Sequence, residues 1–108
     1  MIGNRVSKWV HHLFVLISAR PDLYRCLIET CEKDFIICIA EIFVNVGNLT
    51  ISLEDTDIAF LRRNVKRVEK LGSITEGGQR AARDTIIKHR FLVQRGITAA
   101  LRALEYTV

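Results

Sequence analysis

The most apolar stretch of the sequence, and the one that decides the fold, is DFIICIAEIFVNVG at residues 34–47. It is apolar on almost every side and rich in β-branched residues, so propensity alone allows a buried strand. Its length, the i,i+4 pair of Glu41 and Asn45, and the stop at Gly47-Asn48 favour a helix instead. Because a helix that is apolar all round belongs in a protein interior, we predict that this segment is the central helix of the fold.

The residues before this stretch carry further helix signals. Apolar residues recur at helical spacing over residues 5–19, which predicts a first amphipathic helix. Pro21 disfavours the α conformation in the residue before it and suits the first turn of a new helix. A second helix is therefore predicted to begin at Pro21.

A fourth helix is predicted over residues 53–71, after the central one. Ser52 and Asp55 form a variant of the capping box at its start, and Gly72 ends it. One face of this predicted helix carries an apolar stripe that would pack on the core, made of Ile58, Leu61, Val65 and Val68.

A fifth helix is predicted to follow after a short loop. It opens at the capping box Ser73–Glu76 and runs to Arg95, where Gly96 stops it. A short final helix is predicted over residues 97–106. The fourth and fifth helices would then form an αα-hairpin.

Length and composition indicate one globular domain. The chain has 108 residues, of which 49% are hydrophobic and 26% charged. The predicted fold is all-α, a small bundle of five to six helices spanning residues 1–108. Residues 1–50 form a neutral, apolar half, and residues 51–108 form a basic helical hairpin with a short C-terminal helix. Because a core of this size leaves a modest stability margin, a homo-oligomer is a natural expectation.

Charge is distributed unevenly along the chain. Residues 1–50 hold five Lys/Arg and five Asp/Glu, which balance. Residues 62–102 hold eleven Lys/Arg against Glu69, Glu76 and Asp84, a local excess of +8. A neutral half joined to a basic half suggests an anionic partner for the second half.

The basic residues of the predicted hairpin are the candidate binding residues. On the fourth helix five cations fill an arc of about 140° opposite the apolar stripe, where they repel one another unless an anion neutralises them. Phosphates at regular spacing would do so, which predicts contact with DNA or RNA without base-specific recognition. The candidates are Arg62, Arg63, Lys66, Arg67 and Lys70 on the fourth helix and Arg80, Arg83, Lys88, Arg90 and Arg95 on the fifth.

Other interpretations of the same pattern stay open. The basic face can be an ordinary solvated surface, or it can contact an acidic protein or lipid. A helix-turn-helix reader is less consistent with the sequence, because its first helix would be far more basic than crossing a DNA backbone requires. A second hypothesis is a structural protein that self-associates or docks to a larger assembly without nucleic acid.

The sequence contains no pattern typical of catalysis or of cofactor binding. It has no nucleophile–base set, phosphate loop or acidic metal cluster, so we expect no enzyme activity, no cofactor and no small-molecule substrate. The spacings of His11, His12 and the three cysteines do not match a zinc site.

Cysteine usage and hydropathy bear on the compartment. Three cysteines in apolar surroundings indicate buried free thiols in a reducing compartment. The apolar run at residues 13–17 is too short for a secretory signal, and no stretch approaches the ~18 apolar residues of a membrane span. We expect an intracellular protein, nuclear or virion-associated, without membrane contact.

Several short segments resemble a known family. They are Leu27-Ile28-Glu29-Thr30, residues 39–52, Leu61-Arg62-Arg63, Ser73-Ile74-Thr75 and residues 88–96, KHRFLVQRG. Together they resemble the small basic proteins encoded by Maverick/Polinton-type DNA transposons and adintovirus-like elements of animals. The resemblance covers roughly residues 21–96 as scattered positions.

The resemblance implies a non-enzymatic protein associated with a virion or a mobile element, and it favours nucleic-acid binding. Family members end the equivalent stretch with Gln-(Lys/Arg)-Gly-Gly-Phe-Leu. Here Ile97 follows Gly96, so the second glycine and the Phe-Leu pair are absent. The resemblance therefore does not extend to a processing or core-peptide role.

Overall fold

The computed structural model describes residues 2–48 and 51–106, which form α-helices, one short 3₁₀ helix and no strand. The all-α prediction is confirmed, but the predicted count of five to six is too low, because the helix predicted over residues 53–71 is broken in two. The α-helices of the described residues are α1 (Ile2–Ser18), α2 (Pro21–Thr30), α3 (Lys33–Gly47), α4 (Asp55–Arg63), α5 (Val65–Gly72), α6 (Gln79–Lys88) and α7 (Arg90–Ala103), with the 3₁₀ helix at Ile74–Gly77.

The central position of α3 is confirmed. Eight of its side chains are buried, among them Phe35, Ile39 and Phe43, and the helix packs against α1, α5 and α7. The β-branched residues that allow a strand by propensity instead fill the space between these helices. The broad buried face of α3 is therefore shared among three other helices, which places α3 at the centre of the core. Its opposite side carries the half-buried Glu41 and the 44% exposed Val44.

Ion pairs and a hydrogen bond fix α1 against the start of α3. Arg5 Nε and Lys8 Nζ each lie 3.2 Å from the Asp34 carboxylate, and Arg5 Nη1 also pairs with Glu41. The Trp9 indole N–H donates to Asp34 Oδ2 at 2.7 Å, and this bond, with Lys8 and Arg5, lowers the pKa of Asp34. The carboxylates of α3 are thus occupied by cations of the same half of the chain.

The helix predicted over residues 53–71 is interrupted at Asn64. The Asn64 Nδ2 group donates to the Phe60 carbonyl at 2.9 Å, while its backbone N–H bonds Leu61 one residue later than in a regular helix. Asparagine side chains compete in this way with the helical backbone. The break reorients the chain, so that Leu71 is buried and Val65, predicted to face the core, is 51% exposed.

The helix that is predicted to run to Arg95 and stop at Gly96 is instead divided at His89, between α6 and α7. The Tyr24 hydroxyl donates at 2.6 Å to the carbonyl of Ile86, the group that a continuous helix would offer to the N–H of Arg90. Gly96 instead lies inside α7 and is buried, because the helix crosses the ring of Phe43 there. Residues 97–103 of the helix predicted over residues 97–106 are accordingly the second half of α7, which ends at Ala103.

Neither predicted capping box forms. The N-cap residue of α4 is Glu54 and not Ser52, and it makes no side-chain capping bond. Ser73 precedes the 3₁₀ helix, and its hydroxyl donates to the Glu69 and Lys70 carbonyls at the end of α5. The chain then enters α6 through Gly78, whose φ of 87° only glycine adopts readily.

The three cysteines are free thiols, as predicted, but they are not all buried. Cys38 is buried, and this burial raises its pKa to about 12, whereas Cys26 is exposed. Within residues 2–48 and 51–106 no helix is long and apolar enough to cross a bilayer.

The contact between Gly96 and Phe43 gives a test of the fold. An added Cβ at position 96 would lie 2.6 Å from two atoms of the Phe43 ring. We expect Gly96→Ala to lower the free energy of unfolding by about 1–3 kcal/mol through overpacking, measured by chemical denaturation. The control is Gly77→Ala, whose Cβ would meet only Ala81 at 3.8 Å. Equal stability of Gly96→Ala and the parent protein would contradict this packing.

Candidate nucleic-acid interface

The two helix breaks of the second half face one groove. Asn64, between α4 and α5, and His89, between α6 and α7, both line it. The groove has a volume of about 430 Å³ and is both polar and apolar. Its lining residues are Phe60, Asn64, Arg67, Ile87, Lys88, His89, Arg90, Phe91 and Leu92.

Positive charge converges on this groove from three helices. Arg67 comes from α5, Lys88 from the last turn of α6 and Arg90 from the start of α7, and no carboxylate is among the lining residues described. Partial burial, together with the charges of Lys88, Arg67 and Lys70, lowers the pKa of His89. Lys70 therefore also contributes to the positive potential of the groove.

Hydrogen bonds position two of these cations. Arg67 Nη1 donates to Asn64 Oδ1 at 3.0 Å, so the residue that breaks the helix also holds a guanidinium. Arg90 Nη1 donates to Gln94 Oε1 at 3.1 Å, and the amide of Gln94 donates in turn to the carbonyls of Leu16 and Ala19. Arg90 is thereby anchored to the end of α1.

Arg90 occupies an electrostatically unfavourable position. It is the first residue of α7, and the first turn of this helix contains no acidic residue. Cations at this end oppose the helix dipole, which favours negative charge there. An anion bound in the groove would relieve this repulsion.

Three further predicted residues lie outside the groove and are exposed to solvent. Arg62, Arg63 and Lys66 are exposed on both sides of the Asn64 break. None of them forms an ion pair with a carboxylate in the described part of the chain. They extend the positive surface along α4 and α5.

The last three predicted residues have partners within the protein. Arg83 crosses to α2, where its Nη1 donates to the Ile28 carbonyl at 2.7 Å. Arg80 Nε lies 3.5 Å from Asp84 Oδ1 on the same helix. The Arg95 guanidinium stacks 4.0 Å from the centre of the Phe60 ring and lies 3.9 Å from Asp57 Oδ1. These three cations do not line the groove.

The residues that sequence reasoning missed are the uncharged ones. Asn64 and His89 shape the groove, and Phe60 and Phe91 form part of its wall. Phe91 directly follows Lys88-His89-Arg90. An aromatic residue next to a basic run is therefore the sequence signal that could have indicated this part of the groove. Counting charges along a helix did not detect it.

Comparisons with known proteins give no relative: no family model, no curated protein and no solved structure matches the chain. Among the described residues no group of three or more His, Cys, Asp or Glu side chains could hold a metal ion.

The position of His89 predicts a pH dependence of stability. Its pKa in the folded protein lies below the ordinary value, so the unfolded chain takes up the proton first as the pH falls below about 6.5. The folded state consequently loses stability between that pH and the lower pKa of the folded protein.

We expect the free energy of unfolding of the parent protein to fall relative to that of His89→Gln between about pH 7.5 and pH 5, measured by urea denaturation. Because His11 and His12 are present in both proteins, their contributions cancel. A constant difference between the two proteins across this range would contradict the proposed environment of His89.

Proposed function

We propose that the chain is a non-enzymatic nucleic-acid-binding protein that holds phosphates of DNA or RNA in the groove between the two helix breaks. The observation that carries this proposal is the convergence of Arg67, Lys88 and Arg90, with Lys70 nearby, on a groove whose described lining includes no carboxylate. Polyanions bind such sites with release of counterions.

The distribution of carboxylates supports the proposal. Asp34 and Glu41 pair with Arg5 and Lys8, and Glu29 pairs with Arg25. These acidic groups of the first half are engaged locally and do not neutralise the groove. The positive surface of the second half is left for a partner outside the molecule.

The type of contact follows from the kind of side chain. Arginine can bind a phosphate through two N–H groups, and lysine binds it as a point charge. Contacts of this kind position a nucleic acid without reading its sequence. We therefore expect little sequence preference, which suits packaging better than regulation of particular sites.

The resemblance to proteins of Maverick/Polinton-type transposons and adintovirus-like elements favours the same role. A packaging protein of such an element would be nuclear or virion-associated. The exposed cations Arg62, Arg63 and Lys66 would add contacts along the backbone of the nucleic acid outside the groove.

The proposal predicts salt-dependent binding that weakens when cations of the groove are removed. We expect Arg67→Ala/Lys88→Ala to weaken binding of a labelled oligonucleotide about tenfold or more and to reduce the slope of log affinity against log salt by about 1–2. Fluorescence anisotropy at several salt concentrations measures both quantities.

The matched control is Arg25→Ala/Lys33→Ala, which removes the same two residue types from exposed positions that do not line the groove. It should lower affinity much less than the groove variant. Binding that ignores salt, or an equal loss in both double variants, would contradict the proposed site.

A second candidate function is self-association through α3 and α5. Val44 and Val65 are 44% and 51% exposed, and both line a cleft of about 360 Å³ with Gly47 and Gly72. Exposed apolar side chains around a cleft are typical of protein contacts. Light scattering after size exclusion tests this: a defined oligomer that Val44→Ser/Val65→Ser dissociates would support it, and a monomer would exclude it.

A further inference from the structure

The aromatic residue of the groove is unusually accessible. Phe91 is 76% exposed, more than any other large hydrophobic side chain in the described residues. It is the second residue of α7, directly after Arg90. An exposed aromatic ring beside a positively charged groove is the combination on which the bases of single-stranded nucleic acids stack.

Phe91 forms a ridge between two clefts. On one side lies the groove with Arg67, Lys88 and Arg90. On the other side is a cleft of about 460 Å³ that Phe91 also lines, together with Arg95 and Arg102 and with the carboxylates Glu54 and Asp57. Arg95 there already contacts Asp57 and the Phe60 ring, so an extended polyanion that crosses the Phe91 ring would meet Arg90 on one side and Arg102 on the other.

A cation also holds the ring in place. The Arg90 guanidinium carbon lies 4.3 Å from the centre of the Phe91 ring, which is a cation–π contact. Arg90 itself is fixed through Gln94 to the end of α1. The exposed ring and a phosphate-binding group are thus neighbours in a defined arrangement.

We propose that the partner is single-stranded DNA or RNA, of which one base stacks on Phe91 while the phosphates on either side contact the cations of the two clefts. This inference rests on the proposed function. Bases stack on aromatic side chains whatever their identity, whereas the faces of bases within a duplex are covered by their neighbours. A duplex could therefore contact the cations, but none of its bases could stack on the Phe91 ring.

The first experiment compares oligonucleotides by fluorescence anisotropy at one salt concentration. The probes are a single-stranded oligothymidylate, its RNA equivalent, a duplex with the same number of phosphates, and an abasic strand of the same length. We expect Phe91→Ala to weaken binding of both single strands roughly 5- to 150-fold and to leave the duplex and the abasic strand nearly unchanged. Phe91→Tyr should retain the affinity, and Phe91→Leu should not.

A second experiment detects stacking directly. Phe91→Trp should bind the single strand and lose fluorescence on binding, because a stacked base quenches an indole. The parent protein has one tryptophan, Trp9, which is 6% exposed and should report no such change. Since position 91 is exposed, circular dichroism spectra of all the variants should match that of the parent.

The outcomes separate the two proposals. Absence of salt-dependent binding to every probe would overturn the proposed function, and this inference with it. Binding that falls in Arg67→Ala/Lys88→Ala but not in Phe91→Ala would overturn the inference alone. The inference alone is likewise overturned if the abasic strand binds as tightly as the oligothymidylate.

Discussion

The need to bury the broad apolar face of α3 is the constraint from which the rest of the structure follows. Its eight buried residues span more than half of the helix circumference, so no single partner helix could cover them. The second half of the chain covers this face with helices shorter than the two predicted over residues 53–71 and 73–95.

Side chains determine where the breaks occur. Asn64 bonds the Phe60 carbonyl from within its own helix, whereas Tyr24 reaches the Ile86 carbonyl from α2. Burial raises the pKa of Tyr24, so its hydroxyl keeps the proton that it donates. Because the two breaks adjoin each other, cations that are distant in sequence converge there. The geometry of the groove thus derives from the packing of the core.

Much of the fold was predictable, because the hydrophobic pattern and Pro21 carry strong local signals. The second half was predicted less well for a physical reason. By local propensity, Gly96 is expected to end a helix. In the fold it lies inside α7, because only a residue without a Cβ fits where α7 crosses the Phe43 ring. Likewise, the bond from Tyr24 to Ile86 joins residues 62 positions apart, so no local pattern could reveal the break at His89.

The candidate site was likewise predictable where local pattern determines it, and not where tertiary contacts do. Exposure of Arg62, Arg63, Lys66, Arg67 and Lys70 follows from the periodicity of the helices. The contact of Arg83 with α2 does not follow from periodicity, because it depends on the Ile28 carbonyl of a helix that is distant in the sequence. Helical-wheel reasoning treats all cations on a face as equal, whereas tertiary contacts divide them into those that stabilise the fold and those left for solvent or a partner.

The pairing of α3 carboxylates with α1 cations has a further physical consequence. It leaves residues 1–50 without net charge, so the whole net charge of +4 belongs to residues 51–108, which hold eleven Lys/Arg against seven Asp/Glu. In the field of any polyanion such a molecule experiences a torque before contact. It would rotate during approach so that α5, α6 and the start of α7 lead and α1 trails, and random collisions would be converted into oriented encounters.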